Sequence, residues 1–314
     1  MRNKGTARAP TTRRLLAATL AAVALAACAP VQPPSERTAP DEPQPVSWGQ
    51  IVALPAPAAD HRIPYGEHPL QFGELRLPAG SGPHPVAVLF HGGCWRAEYD
   101  LAHVSHVGAA LAAAGVAVWT PEYRRVGDEG GGWPGTFEDA AAGLGALANI
   151  AREYGLDLDR VVLVGHSAGG HLALWLAGRH NLPASHPLHA APARIRGVVA
   201  LAGITDLARY AEGTRGCNAA VPLLLDGLPA EQPERYAAAS PAGLLPLGVP
   251  QRLLHGALDP IVLLEQSSAY AGKARARGDE VRLVVIEGAG HFDLVAPFAP
   301  AWPRIEAAVL ALLD

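Results

Sequence analysis

The sequence predicts an α/β fold: a mostly parallel central sheet with helices on both faces and a small cap insertion late in the chain. Three observations point there. From Phe72 onward, short apolar or β-branched runs alternate with longer helical patterns. Several of the short runs are continuously apolar, as strands covered on both faces must be. The rhythm then breaks between Ile204 and Val249, where Pro222, Pro229, Pro233, Pro241 and Pro246 mark an insertion. Taken in order, strands are expected over 72–77, 86–90, 116–120, 161–164, 198–201, 252–255 and 281–286. Helices are expected over 104–114, 137–154, 168–179, 263–277 and 302–313. In such sheets ligands meet the carboxyl ends of the strands, so residues that follow strands carry the most weight.

Composition agrees with a sizeable core and narrows the partners. The 314 residues are 49% hydrophobic and 17% charged, enough apolar material for one large domain. A net charge of -4 and scattered Lys and Arg give no basic face, which argues against nucleic acid as a partner.

The first 28 residues read as an export signal. Arg2, Lys4, Arg8, Arg13 and Arg14 precede an apolar run from Leu15 to Ala27 that is short for a membrane span. The run ends Leu25-Ala26-Ala27-Cys28, which resembles a bacterial lipobox, so Cys28 is expected to carry lipid and hold the chain on the periplasmic or cell-surface side of a bacterial membrane. Residues 29–50 are proline-rich and polar at their start and are expected to act as a tether, leaving 51–314 as the folded domain with its cap at about 204–249. An oxidising compartment permits the remaining cysteines, Cys94 and Cys217, to pair.

The strongest chemical signal is Gly165-His166-Ser167-Ala168-Gly169, set between an apolar strand and a helix. A serine on so tight a turn needs glycines on both sides, and its hydroxyl then projects above the sheet beside a helix N-terminus that welcomes an anion. An earlier strand ends at Phe90-His91-Gly92-Gly93-Cys94-Trp95. Glycines there let backbone N–H groups approach a reacting carbonyl, so the amides of Gly93, Cys94 and Ala168 are the expected oxyanion donors and His91 a brace for the loop.

A nucleophilic serine needs a base. Among 13 histidines, His291 stands out by following the last strand within Gly288-Ala289-Gly290-His291. The base in turn needs a carboxylate. Asp259, just past the strand at 252–255, gives the chain order Ser, Asp, His. Asp206 and Asp293 are its rivals, the first suited to a helix cap and the second very close to His291 in sequence. His103 and His106 have the spacing of helical metal ligands but no evident third ligand, so neither metal nor cofactor is expected. The loop Asp128-Glu129-Gly130-Gly131-Gly132-Trp133-Pro134-Gly135 lacks a phosphate-binding lysine and reads as the lead into a helix, with Trp133 at the border of the pocket.

By these motifs the chain, from about residue 72 to 313, resembles the esterase and arylformamidase branch of the α/β-hydrolase superfamily. His91-Gly92-Gly93-Cys94-Trp95 is similar to the HGGxW motif of kynurenine formamidases, with cysteine at the variable position. The resemblance implies hydrolysis of a small-molecule ester or N-formyl amide through an acyl-enzyme on Ser167. A carboxylesterase is the expected activity. Arylformamidase and prolyl-oligopeptidase-like exopeptidase chemistry are the alternatives, and a non-catalytic binding lipoprotein on the same scaffold is the outlier.

Overall fold

The computed structural model describes residues 44–214 and 216–314. The export signal, Cys28 and residues 29–43 of the expected tether lie outside the described residues. Eight strands form one sheet: β1 His61–Pro64, β2 Phe72–Arg76, β3 His84–Phe90, β4 Ala117–Pro121, β5 Leu156–His166, β6 Gly197–Leu201, β7 Gln251–Gly256 and β8 Val281–Ile286. Their spatial order is β1-β2-β4-β3-β5-β6-β7-β8. Only β1 and β2 run antiparallel to their neighbours; from β4 through β8 every pairing is parallel.

The parallel strands are buried on both alternating sets of side chains. Val86 through Phe90, Val161 through Val164 and the whole of β6 are shielded from solvent, so both faces of the sheet are covered. Ten helices are described: α1 Trp48–Val52, α2 Ser105–Ala113, α3 Gly135–Gly145, α4 Leu147–Tyr154, α5 Ala168–Gly178, α6 Leu207–Ala211, α7 Ala220–Leu225, α8 Pro233–Ala239, α9 Leu264–Ala276 and α10 Trp302–Leu313. All of α5 is buried, a helix apolar on every side because it sits between the sheet and other helices. The insertion between β6 and β7 folds as α6, α7 and α8.

Register decides what meets at the sheet's edge. Phe90 pairs with Gly165, His166 with Leu201, and Gly256 with Ile286. The residues following β3, β5, β7 and β8 therefore leave the sheet at one end.

Three elements differ from the sequence expectations. β1 was not expected; it is a short, exposed antiparallel edge ending in proline, with too little apolar patterning to announce itself. The single helix expected over 137–154 divides into α3 and α4 around Ala146. There the Gly143 carbonyl accepts the Trp119 indole N–H at 2.7 Å, an insertion into the helix ladder of the kind that bends helices. The stretch assigned to the tether up to residue 50 also ends earlier. Ser47 and Gln50 form a reciprocal capping box that starts α1, and Ile51, 2% exposed, reaches the core.

Candidate active site

Between β5 and α5, Ser167 holds φ 56° and ψ -118°, a left-handed conformation that only surrounding structure can enforce on a serine. The enforcement is visible. The Ser167 N–H donates to the Leu201 carbonyl of β6 at 2.8 Å. A β-carbon at Gly165 would stand 2.1 Å from the Gly169 carbonyl oxygen, and one at Gly169 would stand 2.1 Å from that of Phe90. Both approaches are to backbone that has no slack, so the turn admits glycine alone at each place.

The loop after β3 carries Gly93, Cys94 and Trp95 at φ 100°, 56° and 54°. A buried polar frame holds it in that shape. His91 lies with Nε2 at 2.7 Å from Glu122 Oε1 and Nδ1 at 2.8 Å from the Gly92 carbonyl, and its ring stacks on Tyr123 at 4.3 Å. The Tyr123 hydroxyl donates to the His91 carbonyl, while Glu122 also accepts the amides of Leu101 and Tyr123 and pairs with Arg125 at 3.3 Å. Burial pushes the Glu122 carboxyl up, but His91 and Arg125 outweigh it and hold the group below its ordinary value. His91 is thus a brace and has no access to a substrate. Trp95 extends the frame: its indole N–H donates to His171 Nδ1 at 3.2 Å, and His171 Nε2 donates to the Ala239 carbonyl of the insertion.

His291 and Asp259 are in contact. His291 Nδ1 lies 2.6 Å from Asp259 Oδ2, leaving Nε2 as the free ring nitrogen. The other oxygen of Asp259 accepts the amides of Ile261 and Val262 at 2.8 and 2.9 Å, so the carboxylate is fixed from both sides. Burial raises its pKa; the His291 hydrogen bond and charge, together with those amides, lower it further, and the net position is below the ordinary carboxylate value. His255 steadies the same turn by donating Nε2–H to the Val262 carbonyl and accepting from Ser267 at Nδ1.

The rival carboxylates are occupied elsewhere. Asp206 accepts from the Arg209 amide at the start of α6. Asp293 accepts the amides of Gly290 and Val46 at 2.8 and 3.0 Å.

Ser167, His291, Gly93 and Cys94 line one pocket of about 340 Å3. Cys94 is joined to Cys217, with Cα atoms 5.0 Å apart, so the bond ties the loop after β3 to the insertion and forms part of the pocket wall. Three aromatic residues, Trp48, Tyr99 and Phe292, stand in the remaining wall beside His103, His166, Gly216 and Ile261. Sequence reading missed all three; for Trp48 the signal was present in the capping box Ser47-Trp48-Gly49-Gln50. A neighbouring cavity of about 290 Å3 beside α6 has Ile261 in common with this lining. Trp133, expected at the pocket border, is elsewhere. Its amide donates to Leu224 and its ring packs on Phe137, because the glycine loop closes onto α7 rather than over Ser167.

Four buried histidines near this site carry a consequence for stability. Burial holds His103 down at about 3 and His171 at about 4, and it lowers His166 and His255 as well. A folded-state pKa below the ordinary 6.5 means that the unfolded chain takes up the extra protons. The stability these groups contribute is therefore complete above about pH 6.5 and is lost as pH falls toward 3 or 4. Between pH 7 and pH 5, His103 and His171 together are expected to remove about 4 kcal/mol from the unfolding free energy. Urea unfolding at the two pH values measures it, and an unchanged midpoint would mean these histidines are charged or hydrated in the fold.

This geometry has relatives. The chain is 35% identical over 119 residues to a probable isoprenylcysteine alpha-carbonyl methylesterase of Arabidopsis thaliana, covering 38% of this chain and 24% of that protein. It is 28% identical over 248 residues to Esterase LipC of Mycobacterium tuberculosis, covering 74% of this chain and 60% of that one. The chain spans about half the length, or less, of the curated relatives first matched, 24% and 56%. Among solved structures, esterase B from Lactobacillus rhamnosis superposes with a TM-score of 0.70 at 22% identity, over 81% of this chain and 85% of that one, a likeness of fold. The α/β-hydrolase fold expected from the motifs is the fold observed. The profile of the BD-FAE family matches residues 74–273, well over half of the chain. The chain belongs to the BD-FAE family.

Proposed function

We propose that this protein is a carboxylesterase acting through an acyl-enzyme on Ser167. The observation that carries the reading is the convergence in one pocket of a strained serine at a helix N-terminus, a histidine whose Nδ1 is held by a buried carboxylate, and Gly93 and Cys94 of the loop after β3. His291 Nε2 takes the Ser167 proton as Oγ attacks the ester carbonyl. The negative oxygen that forms is held by the amides of Gly93, Cys94 and Ala168. His291 then returns the proton to the leaving alcohol, and the C–O bond breaks. Water enters, gives a proton to His291 and its oxygen to the acyl carbon, and the acid departs as the proton returns to Ser167.

One finding favours an ester over a peptide or formamide. The relatives described above are named as a methylesterase and an esterase. A panel of p-nitrophenyl esters, N-formyl anilides and aminoacyl anilides tests the reading on the full chain in detergent. Esters are expected to dominate kcat/KM, and a formyl or aminoacyl preference would overturn the assignment.

Lipid attachment at Cys28 is the location proposed for this activity, supported by Leu25-Ala26-Ala27-Cys28 after the apolar run. The catalytic domain would then work on the outer side of a bacterial membrane. Mass spectrometry of the membrane fraction is expected to find a diacylglyceryl cysteine at the mature N-terminus. An unprocessed N-terminus or a free Cys28 thiol would refute it.

A further inference from the structure

The segment joining the proline-rich stretch to the domain enters the substrate pocket. Trp48 lines it and packs its indole against Tyr99 at 5.4 Å, His103 at 5.4 Å and Phe292 at 5.5 Å, ring centroid to ring centroid. Those partners come from two separate segments of the chain: Tyr99 and His103 follow the loop after β3, and Phe292 follows His291. The Trp48 ring bridges them. Its side chain is partly exposed, while Ile51, one turn on, is buried in the core and anchors the short helix.

Two further contacts fasten this segment to the loop that carries the base. The Val46 N–H donates to Asp293 Oδ2 at 3.0 Å, and the same oxygen accepts the Gly290 N–H at 2.8 Å. One carboxylate oxygen thus clasps the entering segment and the His291 loop together. Pro45 lies against Gly290 so closely that a β-carbon there would stand 2.8 Å from the proline ring. Ser47 and Gln50 close the turn between these contacts and Trp48 with their reciprocal cap.

We infer that residues 45–52 form a strap across the pocket and that Trp48 is a specificity-determining residue that limits the size of the leaving alcohol. The side of the pocket follows from the chemistry of the proposed esterase, on which this inference rests. The alcohol oxygen must receive its proton from His291 Nε2, so the alcohol lies toward the base and toward the wall built on Phe292. Trp48 covers that wall. A flat ring held against three other rings gives little when pressed toward them. Small alcohols pass beneath it and branched or bulky ones meet it.

Full-chain Trp48→Ala and Trp48→Phe, each checked by thermal melting, test this against two substrate series. One holds the acetyl group constant and enlarges the alcohol from methyl to cyclohexyl to naphthyl; the other holds p-nitrophenol constant and lengthens the acyl group from acetyl to octanoyl. In Trp48→Ala the preference for naphthyl over methyl in kcat/KM is expected to rise by about tenfold, roughly what a changed pocket wall is worth. The acyl-length profile should keep its shape, and Trp48→Phe should fall between Trp48→Ala and the native chain. An unchanged alcohol series, or a shift confined to the acyl series, overturns the inference while leaving the esterase reading intact. Failure of the native chain to hydrolyse any ester or to react with a fluorophosphonate would instead remove the reading beneath it.

Discussion

Ser167→Ala is expected to abolish covalent labelling by a fluorophosphonate and to reduce ester turnover by about a thousandfold or more, the usual effect of losing a triad nucleophile. The size of the effect follows from what remains. Alanine keeps the backbone turn, since the strain at φ 56° is imposed by β6, Gly165 and Gly169 rather than by the hydroxyl. The loop after β3 and the aromatic pocket survive, so substrate still binds and residual hydrolysis can proceed by direct attack of water. What is lost is the covalent route. Equal melting temperatures for the variant and the native chain would establish that the loss is chemical. Labelling that persisted at another serine would refute Ser167 as nucleophile.

How much of this was legible in the sequence depended on which physical signal each element carries. The parallel strands announced themselves because burial on both faces demands unbroken apolar runs. The expected 86–90 and 161–164 lie within β3 and β5, and the expected 198–201 lies within β6. The elbow was legible because its glycines answer a local steric demand. Asp259 and His291 were singled out by chain order and by their places just past strand ends, His291 also by its flanking glycines, whereas the 2.6 Å contact between them is a tertiary fact that no such signal contains. The support beneath the oxyanion loop was not legible. Glu122 is an ordinary glutamate in sequence, and only folding brings it to His91, an interval of 31 residues. The strap was hidden for a different reason. The stretch around it matches an unfolded tether by composition, and Ser47 through Ile51 carry a capping signal shorter than any compositional window. Trp133 was misplaced because a glycine-rich loop does not encode which neighbour it closes against.

Asp259→Asn is the second large effect, expected to lower kcat/KM by roughly two to four orders of magnitude, with the fold retained. The fold survives because asparagine Oδ1 still accepts the Ile261 and Val262 amides that shape the turn. The catalytic loss arises at the other atom. Where Asp259 Oδ2 accepts the Nδ1 proton of His291, an asparagine amide would donate. The imidazole must then present Nδ1 as acceptor and carry its proton on Nε2, where it cannot take the Ser167 proton. The variant also lacks the negative charge that stabilises the imidazolium formed during attack, a charge the native site keeps because His291 and two amides hold the carboxyl below its ordinary value against the opposing push of burial. Asp206→Asn and Asp293→Asn supply the comparison. Asp206 caps α6 through its side chain, and asparagine caps nearly as well, so a change within a few-fold is expected. Asp293→Asn weakens the clasp on Gly290 and Val46, which positions the base loop without touching a reacting atom, and a loss of about tenfold or less is expected. Kinetics of the three variants at matched stability decide the matter: if Asp206→Asn or Asp293→Asn equalled Asp259→Asn, the carboxylate that orients His291 during turnover would not be the one bonded to it in the resting fold.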